Sequence, residues 1–596
     1  MPNIFSIGKS GLNAARVGFE VTGHNIANVN TQGYNRQVIE QETRQPQKET
    51  FGFLGTGGDV AQILRCYDRY LDNQVLTAQT QNNFYTSQLQ ILNQIDNLVG
   101  DPTISLNPAI QGVFSAMQKL SQDPSSIPAR QVVLSAAQSM TEKFQTLDNR
   151  LAEIGNGING QITTSVGSIN GLAQEIAELN KRILEFSAGS QTALPNDLMD
   201  KRDFAMQQLN KLVKADKVMA ADGSYSVFIG KGQSLVLGDI TFQLATQPDP
   251  ANPQNVQLIT LSPSGGPPTV IPDEVITGGD LGGWFAVRNG VLNQVRTDLG
   301  NIAIDLTTAF NYQQQLGVDL NGNGAPPNPA VQAVFSNLTA YATNPQQAVA
   351  AMNVILGDPR GIACASNMTV VGPVANGNGV VVTKVAASLP GNYGWTSPNT
   401  PPDYTQHPSY GMTNIVVNGT TATITGGPQP GNYDVVADPS SQNGYKLVTQ
   451  AVPPQDAGIT FTLSGQLQNA MTFTITPNIA TTFGQGDNGN LLQTLQLQTA
   501  TLVDSQRNGT GYANRPSFQT AYAVTVSYVG STTSNTQLAS GAAATVLKES
   551  VLIRSNASGV NLDEEAANLL RYQQAYFAAG KVIEVANTTF NQVLQL

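Results

Sequence analysis

The chain has 596 residues, enough for more than one large core. Charged residues make up 12% of it, about half the usual share for a soluble protein, and the formal net charge is −11. That balance argues against a broad basic footprint for nucleic acid or anionic lipid. Two cysteines, Cys66 and Cys364, exclude a disulfide framework and a CxxC site. Two histidines, His24 and His407, remove most zinc and histidine-triad chemistry. Two tryptophans, Trp284 and Trp395, argue against an aromatic-lined sugar groove. No apolar run is long enough to span a membrane, and the first residues hold no compact apolar signal region. The composition suits either a cytosolic protein or one exported without a cleaved peptide.

In chain order, Phe5, Leu12, Phe19 and Ile26 recur every seven residues, with Gly8, Ala15, Thr22 and Val29 as companions. A heptad stripe on a helix requires a partner helix for burial. A second series runs through Leu64, Leu71, Ala78, Tyr85, Leu92 and Val99. After the Asp101-Pro102 loop, a third runs through Phe144, Leu151, Ile158, Leu172, Leu179 and Phe186, with Ser165 as its polar member. Such lengths predict a bundle of long helices, with a bend near Gly155, Gly157 and Gly160. Asp197, Asp200 and Asp203 lie at helical spacing beside Lys201 and Arg202, a pattern that reads as a solvated ion-pair face.

From Val218 to Leu261 the period changes. Alternation in Tyr225–Ile229 and the Asp222-Gly223 turn predict hairpins. Helix returns between Phe285 and Leu316, and short Thr/Val-rich runs from Ser336 to Ile479 predict a β-rich insert. Leu538 to Arg554 reads as helix. Finally Leu562, Leu569, Tyr576, Ile583 and Phe590 repeat the seven-residue interval. Asn561 caps this last helix, with Glu564 in capping-box position, and the helix extends to about Leu594.

The fold class is therefore mixed but mainly α: discontinuous terminal coiled-coil helices and a long-helix bundle, with β-rich insertion at the distal end. The expected divisions are 1–60 with 552–596 as terminal assembly segments, 61–335 with 485–551 as a helical rod, and 336–484 as the inserted β-rich part.

No catalytic constellation, cofactor site or metal site emerges. Asp319–Gly324 matches the first half of an EF-hand loop, but Ala330 stands where the bidentate Glu belongs, and Pro326, Pro327 and Pro329 preclude an exit helix. The Gly55–Gly58 and Gly230–Ser234 segments read as turns. His24 reads as a packing or surface residue, and Cys66 as a buried small residue rather than a nucleophile. An intramolecular helix hairpin is the plainer use of the terminal heptads; assembly between chains is the other.

Ser10–Ala14 followed by Val21–Arg36 resembles the N-terminal signature of bacterial flagellar rod, hook and hook-associated proteins, and Ser558–Leu569 with Tyr572–Tyr576 resembles their C-terminal signature. Asn35-Arg36, Asn196–Asp203, Gly282-Gly283 and the Asp319 turn narrow the resemblance to the hook-associated protein 1 family. The resemblance implies a non-enzymatic axial component at the hook–filament junction, forming a ring of about eleven subunits. It also implies contact with hook protein and a second junction protein, and location outside the cell. Export would be unfolded, by the flagellar type III route, with an export chaperone on the C-terminal segment. Phe5, Leu12, Phe19, Ile26, Leu562, Leu569, Tyr576, Ile583 and Phe590 are the expected assembly contacts. Another axial protein, such as a second junction protein or hook subunit, remains an alternative reading, as does a cell-surface enzyme or adhesin using the β-rich part.

Overall fold

A computed structural model describes the chain apart from residues 1, 50–51, 188–193, 326–327, 372–379, 392, 394–399, 440, 470, 480–482, 505–514 and 595–596. Pro326, Pro327 and Trp395 therefore lie outside the described residues. The helices in chain order are α1 (Pro2–Ala27), α2 (Arg69–Gly100), α3 (Leu106–Leu120), α4 (Ile127–Ser187), α5 (Asn196–Leu212) and α6 (Gly279–Val287). They continue with α7 (Asn293–Gln315), α8 (Ala348–Ala351), α9 (Gly489–Gln496), α10 (Phe518–Ser558) and α11 (Leu562–Leu594). Two compact units result. The first comprises Met1–Leu92, Gly155–Arg288 and Thr533–Leu596, and the second Asn93–Ile154 and Asn289–Thr532. Long helices and an antiparallel β-rich insertion make the fold mixed and mainly α.

In the first unit, α1 pairs with α11, and α1 also packs against a hairpin of Gln37–Thr43 with Gly58–Arg65. Strands Ala215–Met219, Tyr225–Ile229, Gln233–Leu237 and Ile240–Thr241 form a four-stranded meander, with the predicted Asp222-Gly223 turn joining its first two strands. Tyr225, Val227 and Ile229 are buried on alternate positions, as a half-buried strand requires. Asn180 of α4, fully buried, pins this sheet: its amide donates to Tyr225 O and Gly238 O, and its carbonyl accepts from Tyr225 N and Arg202 Nη1.

The α4 helix is continuous through Gly155, Gly157 and Gly160. Its buried stripe broadens along its length. Phe144, Leu151 and Ile158 are core, but Leu172 is half-buried and Phe186 is 69% exposed. Ser165 and Leu179 of the expected series stay buried, joined by a second seven-spaced series, Ile162, Ile169, Ile176 and Ile183. A heptad drifts about 20° per repeat on a straight 3.6-residue helix, so over this length the inward face takes in both series.

In the second unit, eight antiparallel strands follow the spatial order Met368–Val371, Thr472–Pro477, Met412–Asn418, Thr421–Gly426, Gly431–Ala437, Gly444–Thr449, Asp456–Leu463 and Val382–Ala387. The two edge strands touch, so the sheet is nearly closed into a barrel. Ile415, Val417, Leu447, Ile459, Phe461 and Ile475 fill its interior. The α7 helix is buried on most sides, with polar residues such as Asn301, Asp305 and Gln313 among its buried positions. The expected Phe285–Leu316 helix is divided by a π turn, Arg288–Leu292, between α6 and α7. Arg288 within it reaches Asn159, Val256 O and Asp273.

Candidate assembly interface

The pairing of α1 with α11 is made by small residues. A Cβ at Gly8 would lie 2.7 Å from Ile583 Cγ1, and one at Gly18 would lie 2.5 Å from Tyr572 Cε1. Ala14, Ala15, Val21 and Thr22 complete the buried face of α1. The large heptad residues are turned elsewhere. Phe5 and Phe19 are 50% and 44% exposed, and Leu562, Tyr576 and Phe590 are 51%, 42% and 51% exposed. Leu12, Ile26, Leu569 and Ile583 are half-buried, Ile583 against Gly8. On α1 the companion positions Gly8, Ala15 and Thr22 lie on the inner face, whereas on α11 the contacts come from Tyr572 and the heptad residue Ile583, and Ala566, Gln573, Asn587 and Leu594 are exposed. Leu570, Phe577 and Val585 add further exposed apolar surface. Sequence reasoning missed them, although the seven-residue interval from Leu570 to Phe577 was visible. Burying such a side chain against another surface would gain roughly 1.5–3 kcal/mol.

A polar lock holds the pair in register. Asn561 caps α11 as expected, its side chain accepting from Asp563 N at 3.0 Å. The reciprocal role expected of Glu564 is replaced by an ion pair with Arg36 at 2.8 Å. Its neighbour Glu565 is buried and accepts from Arg36 Nε at 2.7 Å and from Asn25 Nδ2 at 3.0 Å. Asn25, also buried, donates to Gln37 O and accepts from Gln37 N and Tyr34 Oη. Burial, followed by the charges of Asp197, Asp200 and Glu565, pushes the Tyr34 phenol upward, so it remains a donor.

The Asn196–Asp203 segment belongs to the same construction, which corrects the expectation of a solvated face. Only Asp197 and Lys201 are exposed; Asp200, Arg202 and Asp203 are buried. Asp200 accepts from Asn35 N at 2.9 Å and Asn35 Nδ2 at 2.6 Å, and pairs with Arg65. Asp203 takes Arg65, Lys217 and the Tyr225 hydroxyl. Lys217 also reaches Asp72 at 2.7 Å. The physical reason is steric. The face at three-residue spacing meets the base of the hairpin, and buried carboxylates persist there because fixed cations match them. Burial alone would raise Asp203, but Lys217 and Arg65 outweigh it and hold its pKa low. At Asp200 burial wins, despite Asn35 and Arg65, and the pKa is raised. Arg202 lies over the Tyr225 ring at 3.5 Å.

The other sequence candidates are engaged locally. Asp319 Oδ1 accepts from Asn321 N and Asn323 N, and Oδ2 from Asn323 Nδ2, so its oxygens close their own turn. His24 is edge-on to Tyr34 and 3.3 Å from Asp197. His407 is buried, and desolvation lowers its pKa to about 4. Among the described residues no group of His, Cys, Asp and Glu could hold a metal ion, and no helix is long and apolar enough to cross a membrane.

Comparison with known proteins follows the same landmarks. Residues 92–326 match the family described as flagellar hook-associated protein FlgK helical domain. Residues 5–35 match the flagella basal body rod proteins, and 554–596 match the C-terminal region of the basal body rod FlgEFG proteins. Flagellar hook-associated protein 1 of Salmonella typhimurium is 29% identical over 601 residues, covering 100% of both chains. The Escherichia coli protein of that name is 29% identical over 600 residues, again covering 100% of each. A solved structure of the flagellar hook junction protein FlgK from Burkholderia pseudomallei shares the fold, with a TM-score of 0.60 and 23% identity, over 81% of this chain and 99% of that one. With both rod-protein ends and the intervening helical domain in one chain, homologous end to end to flagellar hook-associated protein 1, this protein is a structural axial component of the bacterial flagellum.

Proposed function

We propose that the chain joins hook to filament, in a ring of about eleven copies whose contacts are made by the outer face of the α1–α11 pair. The observation that supports this most is the division of labour in that pair. Glycines and alanines bring the two helices together, while Phe5, Phe19, Tyr576, Phe577 and Phe590 remain outside. A lone hairpin would place its largest apolar residues in its own seam. Hook protein and a second junction protein are the neighbours that such a ring would meet, and its place is extracellular. Export proceeds unfolded, without a cleaved peptide, and a chaperone covers the apolar face of α11 until delivery. The role is structural and involves no catalysis.

Deletion of the gene in the source bacterium tests the reading. Hooks without filaments, with flagellin shed into the medium, are expected. Normal filaments and motility would overturn it. Phe577→Asp should block incorporation while the purified chain keeps its fold, because Phe577 is 66% exposed in the single chain.

A further inference from the structure

Within the second unit, α7 and the start of α10 enclose an open hollow of about 380 Å³. Ligand pockets run from about 300 to 1,000 Å³, so this one is at the small end and has room for a side chain. Asp298 stands in it. Its Oδ1 accepts from Gln294 Nε2 at 2.7 Å and its Oδ2 from Thr525 Oγ1 at 3.1 Å. A carboxylate offers about four acceptor positions, so acceptor capacity is left over. Asp298 is partly buried, and whereas Asp72, Asp200, Asp203 and Glu565 each face an arginine or lysine, among the described residues Asp298 has no ion pair. Burial raises its pKa, as expected of a carboxylate whose charge is unanswered. The wall beside it is apolar and open to water, with Val524 60% and Tyr528 41% exposed. The hollow beside Arg65 and Lys217 differs, since Asp72, Asp200 and Asp203 already match its charges.

We infer that the hollow receives a lysine or arginine side chain from a neighbouring chain of the assembly. The aliphatic stem lies along Val524, the cation reaches Asp298, and the Tyr528 ring offers its face. The chemistry of the hollow stands on its own geometry; only the identity of the neighbour rests on the axial function proposed above.

The test has two arms on the full chain. In the first, n-butylguanidinium and n-butylammonium are titrated against the monomer by saturation-transfer NMR, with n-butanol as the uncharged analogue. Binding of the cations is expected, weakened about tenfold or more by Asp298→Asn but unchanged by Asp216→Asn at an exposed site. No binding, or equal binding by Asp298→Asn, overturns the site. In the second arm, tagged wild-type and Asp298→Lys chains compete for incorporation into flagella. Incorporation of the variant should fall about fivefold or more, since a lysine there repels the incoming cation. If circular dichroism shows Asp298→Lys misfolded, Asp298→Asn is competed instead, with a smaller loss expected. Cation binding with undiminished incorporation would mean that a free organic cation is the ligand, and would overturn the neighbouring side chain. Absence of wild-type chain from flagella would refute the proposed function and leave the first arm to decide the site.

Discussion

Arg36 Nε lies 2.7 Å from Glu565 Oε1, although the two residues are 529 positions apart. This contact closes the first unit around both terminal helices, and Glu565 has almost no access to water. Glu565→Gln should destabilise the α1–α11 pair by about 2 kcal/mol. That is less than the roughly 3–5 kcal/mol typical of a broken buried pair, because Glu564 still answers Arg36. Hydrogen exchange should show lost protection over the first turns of α11, with the eight-stranded sheet unaffected.

Gly18 is where α1 comes closest to an aromatic ring of α11. Gly18→Val should separate the helices and lower protection in both, at a cost of roughly 1–3 kcal/mol from overpacking. Adding Tyr572→Ala should recover part of that loss, since the clash is with the Tyr572 ring. A double-mutant cycle with no coupling between the two sites would show that the helices do not meet there.

The buried acids of α5 should differ in their sensitivity. Asp203→Asn leaves Lys217 and Arg65 short of charge and should cost about 3–5 kcal/mol by urea unfolding. Asp200→Asn should cost less, because burial already raises that carboxyl and Arg65 keeps Asp203. Asp203, with a lowered pKa in the folded chain, contributes stability present above its unfolded pKa of 3.8 and lost as pH falls below it.

His407 gives the β-rich sheet an acid-sensitive point. Its Nδ1 accepts from Ser409 N, and its Nε2 faces Ser388 O and Gly458 O. Buried and neutral, it has a folded pKa of about 4 against 6.5 when unfolded. The folded state therefore binds fewer protons. Stability is complete above about pH 6.5 and falls by roughly 3 kcal/mol as pH drops toward 4. Urea unfolding between pH 7.5 and 4 should show this slope, and His407→Gln should flatten it while lowering stability at pH 7.5.

Apolar periodicity made the helices legible. The α2 series reaches core at Leu92 and Val99, and α4 at Phe144, Leu151 and Ile158. The alternating Tyr225–Ile229 and the Thr421–Ile424 and Thr472–Ile475 runs all became strands. Strand order was not legible, since Met368–Val371 pairs with Thr472–Pro477 across the whole insert and nothing local specifies that partner. The polar lock escaped for a related reason. Asn25, Arg36, Asp200 and Glu565 carry no hydrophobic period, and their burial depends on partners remote in sequence. At the termini the seven-residue spacing was visible, but which stripe faces inward was decided by glycine, through how closely two backbones can approach.

The distance along the chain between Arg36 and Glu565 also sets an order of events during synthesis. Asn25 and Arg36 leave the ribosome early, yet the carboxylate they share is added only after some five hundred further residues. A chain that stops short of Glu565 therefore lacks the carboxylate that Asn25 and Arg36 share, and its α1 has no partner helix to lie against.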